Sequence, residues 1–424
     1  MDNVQNLLNA GGDAGQDPEK ADTTEPPLLT DPRGGVPGVI DDAAALDRAL
    51  ATLVEGTGPV AVDAERASGY RYTQRAYLVQ LWRQGTGVLL VDPIACPNLA
   101  AIDEALDDTE LVLHAAQQDL ACLAELGLRP RRLFDTELAG RLLGYPKVAL
   151  GVLVEKHLGV RLAKEHSAAD WSQRPLPTDW LRYAALDVDL LVELRDALEE
   201  ELRSAGKLEW ARQEFAAELT ARPKPPRADP WRRTSGIHRV RTQRGLAAVR
   251  ELWLARDEIA QEKDLAPGRV LHDKAIVEAA LAMPRSVRAL MALPTFHSRR
   301  AREHAPIWAA AVDRARTSSS GNLPRPAAAG EGPPPANRWA DRAPEAARRL
   351  EFLRATVSQI AEDCALPTEN LLHPEVIRRL AWDPPLAAAE DAVGEQLRRD
   401  RAREWQIALT SAPLTRALKD ADTS

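Results

Sequence analysis

The stretch Pro59-Val-Ala-Val-Asp63-Ala-Glu65 decides the fold. Its β-branched, apolar run predicts a strand over Pro59–Asp63, and period-2 geometry turns the Asp63 and Glu65 side chains to one face at the strand's end. Two carboxylates so placed repel each other unless a cation is present, and hard oxygen donors suit Mg²⁺ or Mn²⁺. Alone, a D-x-E pair fits a solvated strand end equally well.

Outward from that stretch, a helix is predicted over 42–54, and further strands over Ala76–Trp82 and Gly87–Asp92 complete an antiparallel meander. Beyond it, helical and extended patterns alternate. Glu110–His114 and Arg132–Asp135 read as strands, and 117–126, 136–143, 149–157 and 178–203 read as helices. Strands first, then alternating α and β segments, indicate an α/β sheet domain. Two more acids fall at ordered positions. Asp119 lies early in the helix after the strand ending at His114, and Asp187 closes Tyr183-Ala-Ala-Leu-Asp187, which sets Tyr183 and Asp187 on one helical face.

The remainder is helical and interrupted twice, by the proline-broken segment 221–230 and by the Ser/Gly/Pro-rich segment 317–336. Residues 252–284, shifted by 101 positions, superimpose without a gap on 353–385. The matched pairs include Leu252/Leu353, Ile259/Ile360, Leu265/Leu366, Leu271/Leu372, His272/His373 and Pro284/Pro385. A small helical domain is therefore present twice. Its copies differ in charge: residues 231–316 hold 17 Arg and Lys against 9 Asp and Glu, residues 340–424 hold 12 against 15. If one copy grips a phosphate backbone, it is the first.

The net charge of −8 gives no general basic coat, yet charge segregated between domains still permits a nucleic-acid partner. Cys96, Cys122 and Cys364 are odd in number and far apart, which argues against a disulfide framework or a zinc site. No run is long enough for a membrane span, and the N-terminus is acidic and polar, so a cytoplasmic protein is expected. No G-x-x-x-x-G-K-[ST] loop occurs, so no nucleoside triphosphate is expected as a partner. Coiled-coil heptads are absent too, and a monomer is expected.

The ordered acids resemble the three exonuclease motifs of the DEDD superfamily in its tyrosine-bearing branch: Val62-Asp63-Ala-Glu65, His114-Ala-Ala-Gln-Gln-Asp119-Leu120, and Tyr183 through Asp187. Phe134-Asp135-Thr136 and Lys164 through Leu176 look like the corresponding stretches of the ribonuclease D family, and the repeated module resembles the HRDC domain. The resemblance implies a ribonuclease-H-like α/β exonuclease domain followed by two all-α HRDC-type helical domains. The boundaries expected are a disordered tail over 1–38, the exonuclease domain over 39–220 and a linker over 221–231. The first HRDC domain follows over 232–316, a linker over 317–338 and the second HRDC-like domain over 339–420. It also implies metal-dependent 3′→5′ hydrolysis of RNA with a single-stranded 3′ end to nucleoside 5′-monophosphates, in trimming tRNA and other structured precursors. Two divalent ions, Mg²⁺ or Mn²⁺, are implied: Asp63 would bridge both, Glu65 and Asp187 would complete the first ion's shell, and Asp119 would hold the second. Tyr183 would orient the attacking water. Rival readings are a DNA-directed 3′→5′ exonuclease and a non-catalytic RNA-binding scaffold.

Substrate contacts are expected from His114, Lys164, Ser167, Trp171 and Arg174 near the site, and from Arg299 and Arg300 in the basic module. Each has a plainer reading: a structural histidine at a strand end, a loop-ordering polar cluster, a solvated basic run. Tyr70 and Tyr72 either stack on a terminal base or pack their loop. Asp135 with Thr136 reads as a helix N-cap, and Asp189 as solvated.

Overall fold

The computed structural model describes residues 25–163, 168–221, 227–325, 333–386 and 389–423. The strands are β1 (Leu28–Leu29), β2 (Val39–Ile40), β3 (Thr57–Arg66), β4 (Ala76–Gln84), β5 (Gly87–Val91), β6 (Glu110–Leu113), β7 (Arg132–Asp135) and β8 (Arg161–Leu162). Six of them form one mixed sheet in the order β2-β5-β4-β3-β6-β7. β3, β4 and β5 make the expected antiparallel meander, while β6 and β7 join parallel on its far side. Covering helices are α1 (Ala43–Glu55), α2 (Ala100–Ala105), α3 (Leu120–Glu125), α4 (Thr136–Leu142), α5 (Leu150–Leu158), α6 (Thr178–Asp189), α7 (Leu191–Ser204) and α8 (Leu208–Leu219). Central β4 is buried from Ala76 to Trp82 without alternation because both sheet faces are covered. Val79 and Leu81 join the large core, whereas Tyr77 and Leu78 pack in a second cluster with Trp171, Ala184 and Ala185. Glu65 pairs with Leu78 but Arg66 with Ala76, so Tyr77 is an extra residue on β4, a bulge just where the D-x-E pair ends.

Expectations for the N-terminal tail and for the long helix are corrected here. The disordered tail assigned to 1–38 does not hold for residues 25–38. Leu28–Leu29 pairs in parallel with Arg161–Leu162, Asp31 bonds Arg182 at 2.7 Å, and Arg33 bonds the backbone and side chain of Asp189 and the carboxylate of Glu193. Asp189, expected in solvent, is consequently 3% exposed. The second correction is the helix over 178–203, which breaks at Leu190 into α6 and α7. Arg33 takes the Asp189 carbonyl at that break, so a polar anchor replaces a bond of the helix ladder.

The repeat survives at the level of backbone. The first helical domain holds α9 (Gln243–Glu262), α10 (Pro267–Val270), α11 (Asp273–Ala282), α12 (Val287–Met291), α13 (Arg299–Glu303) and α14 (Ala305–Thr317). The second holds α15 (Trp339–Arg342), α16 (Pro344–Asp363), α17 (Thr368–Leu371), α18 (Pro374–Trp382), α19 (Glu390–Arg399) and α20 (Glu404–Thr423). α9 and α16 begin and end 101 residues apart, and the corners that follow both turn on a left-handed residue, Asp264 (φ 43°) and Ala365 (φ 47°). Both corners dock on the sheet domain by different chemistry. Asp264 accepts hydrogen bonds from Tyr72 N, Thr73 N and Thr73 Oγ1 at 3.0–3.2 Å. Ala365 offers its carbonyl to Lys207 Nζ (3.2 Å) and abuts Gly144. The second domain also shares the exonuclease-side hydrophobic core, with Trp210 stacked on Trp405 at 4.8 Å, whereas the first keeps a core of its own.

Gly144 has φ 82°, and a Cβ there would meet the Ala365 carbonyl oxygen at 2.4 Å. Gly144→Ala should therefore destabilise the chain by about 2 kcal/mol or more, read as a lowered thermal midpoint. Gly159→Ala, at φ 67° with nothing within 4 Å, should show the backbone strain alone, about 1 kcal/mol. Equal losses at the two positions would contradict the tight docking of this corner.

Candidate active site

β3 delivers Asp63 and Glu65, and α6, which crosses β3, β4 and β5, delivers Tyr183 and Asp187 to the same place. Ligand oxygens of Asp63, Glu65 and Asp187 all lie within 4.8 Å of one another. They line a cavity of about 720 Å³ with Asp119, His114, Tyr183, Arg66, Ser68, Gly69 and Tyr70. Asp119 stands apart from this trio and faces Arg66 Nε at 3.5 Å.

Such crowding is electrostatically costly. Burial pushes Glu65 up to about 10, with further upward pressure from Asp63, Asp187 and Asp119. Burial and then Asp63 raise Asp119 to about 8, against the lowering effect of Arg66. Asp187 is held well above the ordinary carboxylate range by burial and by Asp63, and Asp63 itself is raised by burial. These groups cannot all ionise in one cavity unless positive charge joins them. An all-oxygen, multiply anionic donor set with this spacing fits a hard divalent cation. Tyr183 donates a hydrogen bond to Asp187, and burial keeps its phenol protonated, so it acts as a donor and not as a phenolate.

Asp119 owes its position to Asp135. The chain leaves β6, passes Ala115 in a left-handed conformation (φ 58°) and makes one 3₁₀ turn into Asp119. The Asp135 carboxylate accepts from Ala115 N (3.1 Å) and Ala116 N (2.7 Å), and also from Glu137 N (2.8 Å) and Leu138 N (3.1 Å). It is thus the expected cap of α4 and, beyond that, the tie that fixes the turn carrying Asp119. His114 Nδ1 lies 2.9 Å from Thr136 Oγ1, which itself donates to the Leu113 carbonyl. This contact fixes the ring at the end of β6, and burial lowers its pKa to about 4.

Other expected contacts are relocated. Trp171 is fully buried, packed 5.3 Å from Trp180 and 6.4 Å from Tyr183, so it supports α6. Arg174 holds Asp92 through two bonds (2.6 and 2.7 Å) and the carbonyls of Trp171, Gln173 and the bulge residue Tyr77, which occupies its donors internally. Tyr72 turns away to Asp257 and Gln261, while Tyr70 does line the cavity. Arg299 and Arg300 line an adjacent cavity. Lys164 and Ser167 lie outside the described residues. Reading by motif missed Arg66 and the second role of Asp135. Arg66 directly follows Glu65, and that adjacency was the available signal.

The sheet, its covering helices and the carboxylate cavity define a 3′–5′ exonuclease, and residues 37–203 match the family model of that description. Residues 245–312 match the HRDC domain, and residues 332–418 match the 3′ to 5′ exonuclease C-terminal domain. The chain is 33% identical to the ribonuclease D of Gluconacetobacter diazotrophicus over 334 residues, covering 77% of this chain and 81% of that one. A crystal structure of a protein from Bifidobacterium adolescentis superposes with a TM-score of 0.85 at 38% identity, covering 93% of this chain and all of that one. The crystal structure of Escherichia coli RNase D shares the fold, with a TM-score of 0.66 at 24% identity over 90% of this chain and 98% of that one. The chain belongs to the ribonuclease D family, and it is a 3′→5′ exoribonuclease. Among the described residues, no helix is long and apolar enough to cross a membrane.

The raised carboxyls set a pH dependence. A folded-state pKa above the unfolded one gives stability that is present below about pH 4 and lost as pH rises through about 8 for Asp119 and about 10 for Glu65. His114, lowered, acts in the opposite sense below about pH 6.5, so the window to read lies above it. In EDTA the thermal midpoint should fall from about pH 7 to about pH 8.5, and Mg²⁺ or Mn²⁺ should raise it more at the higher pH. A metal-induced rise that shrinks with pH would contradict this account of the site.

Proposed function

We propose that the chain hydrolyses RNA from single-stranded 3′ ends, releasing nucleoside 5′-monophosphates, and trims structured precursors such as those of tRNA. The observation that carries this reading is the convergence of Asp63, Glu65 and Asp187 within 4.8 Å of one another in a cavity large enough for a nucleotide. Asp63, Glu65, Asp187 and Asp119 would hold two divalent ions, Mg²⁺ or Mn²⁺, in this cavity. When bound, the ions supply Lewis-acid charge to the scissile phosphate, the attacking water and the leaving 3′-oxygen.

The chain's own groups do the rest. Arg66 faces Asp119 across 3.5 Å. Tyr183, protonated, offers its O–H toward Asp187, where it can orient the incoming water. That water's oxygen forms the new bond to phosphorus and gives up a proton, the bond to the 3′-oxygen breaks, and the departing 3′-oxygen takes up a proton to leave as the hydroxyl. His114, kept neutral by burial, cannot neutralise a phosphate. As a substrate contact it suits a ribose hydroxyl.

A time course on 5′-labelled single-stranded RNA, beside DNA of the same sequence, tests the reading. A ladder shrinking from the 3′ end on RNA and silenced by EDTA is expected. Asp63→Asn should lower kcat on the order of a thousandfold or more while RNA binding persists. Equal cutting of DNA would favour the deoxyribonuclease reading, and tight binding without cleavage under either metal the scaffold reading.

A further inference from the structure

We propose that the cavity adjoining the catalytic one is a second substrate site, which holds the phosphate backbone of single-stranded RNA upstream of the scissile bond through Arg269, Arg299 and Arg300. The proposal rests on the exoribonuclease reading and deepens it. The second cavity measures about 740 Å³ and is lined by Ser68, Gly69, Arg269, His272, Arg299 and Arg300, among others. Ser68 and Gly69 also line the carboxylate cavity, so one ridge of backbone separates the two. A Cβ on Gly69 would meet nothing within 4 Å, which leaves the crest of that ridge open.

The two cavities have opposite charge. The first is lined by Asp63, Glu65, Asp119, Glu137 and Asp187, while no Asp or Glu lines the second. In a chain of net charge −8, three arginines gathered without an acid suit a polyanion. Arg269 is held in place: its Nε donates to Gly69 O at 2.8 Å and its guanidinium lies 3.9 Å from the centre of the Tyr70 ring. Arg300 donates to the Arg269 carbonyl at 3.1 Å and is otherwise exposed. Exposed Arg299 makes no hydrogen bond or ion pair among the described residues. The nearest acid on α13, Glu303, is already paired with Lys263 at 2.9 Å.

Continuity with the catalytic cavity selects the occupant. A chain whose 3′ end lies among the carboxylates must lead its 5′ side away, and the route over Ser68 and Gly69 passes into the arginines. An acidic peptide would satisfy the charge, but it has no reason to adjoin the scissile phosphate. The first helical domain is thereby tied to the reaction at both ends, through its arginines to the strand and through Asp264 and Arg269 to the loop that walls both cavities.

The test compares kcat/KM on a long single-stranded RNA and on a dinucleotide of the same 3′ sequence, across a salt series. It uses the full chain, Arg299→Ala/Arg300→Ala and Arg299→Lys/Arg300→Lys. The alanine variant should lower the long-to-short ratio about tenfold and flatten the salt dependence on long RNA by roughly 0.7 in log–log slope per lost phosphate contact. The lysine variant should keep most of that slope. An unchanged ratio, or a proportionate loss on both substrates, would overturn the second site while leaving the exoribonuclease reading intact. Failure of the unaltered chain to cut either RNA would overturn both.

Discussion

Mutual repulsion among carboxylates gathered at one point is the constraint on which this structure depends. Bringing Asp63, Glu65 and Asp187 within 4.8 Å of one another opposes folding in the absence of cations, so the elements carrying them must be stable for other reasons. β3 is: it pairs on both sides, and its residues Val60 to Val62 are fully buried. α6 is as well, with Ala184 and Ala185 packed against the sheet and Trp171 beneath Tyr183. Small alanines let the helix approach closely enough for Asp187 to reach the strand. The apolar packing is therefore spent on holding a polar cluster whose repulsion is relieved only by protons or by cations.

The supports around that cluster are polar and fully engaged. Arg174 bonds Asp92 and the carbonyl of bulge residue Tyr77, so the irregularity that ends the D-x-E strand has its backbone satisfied. Asp135, accepting four backbone N–H bonds, fixes both the turn of Asp119 and the start of α4. Glu218 of α8 is buried and pushed up to about 9, first by burial and then by the neighbouring Asp135.

The sheet and the motif acids were legible because they depend on local pattern. The apolar run ending in Asp135 gives β7 over Arg132–Asp135, and the exact 101-residue spacing of α9 and α16 follows from matched apolar positions. What stayed hidden depends on contacts distant in sequence. Residues 25–38 have too little apolar content to predict order, and are fixed by Arg33 reaching 156 positions on to Asp189. The same bond buries Asp189 and marks the end of α6 at a point where helical periodicity runs on unbroken. Arg174 and Trp171 looked like substrate contacts because a polar loop beside a site and a polar loop bracing one have the same composition. Only their partners distinguish them.

The duplicated helical domain shows one corner put to two uses. Around Ala365 the docking is close, with Gly144 beneath it and Lys207 bonded to its carbonyl, and Trp405 stacks into a core continuous with that of the sheet domain. That copy, with its acidic excess, buttresses the fold. Around Asp264 the docking is polar and falls on the Tyr70–Thr73 loop, beside the catalytic cavity, and the apolar core beyond it stays separate. Hydrogen bonds between wet surfaces contribute little net stability, so this second contact is suited to placing a loop more than to joining two domains. The difference between the two domains thus follows their distance from the chemistry. The one remote from the carboxylates shares the core of the sheet domain, and the one beside them has its own core and an excess of positive charge.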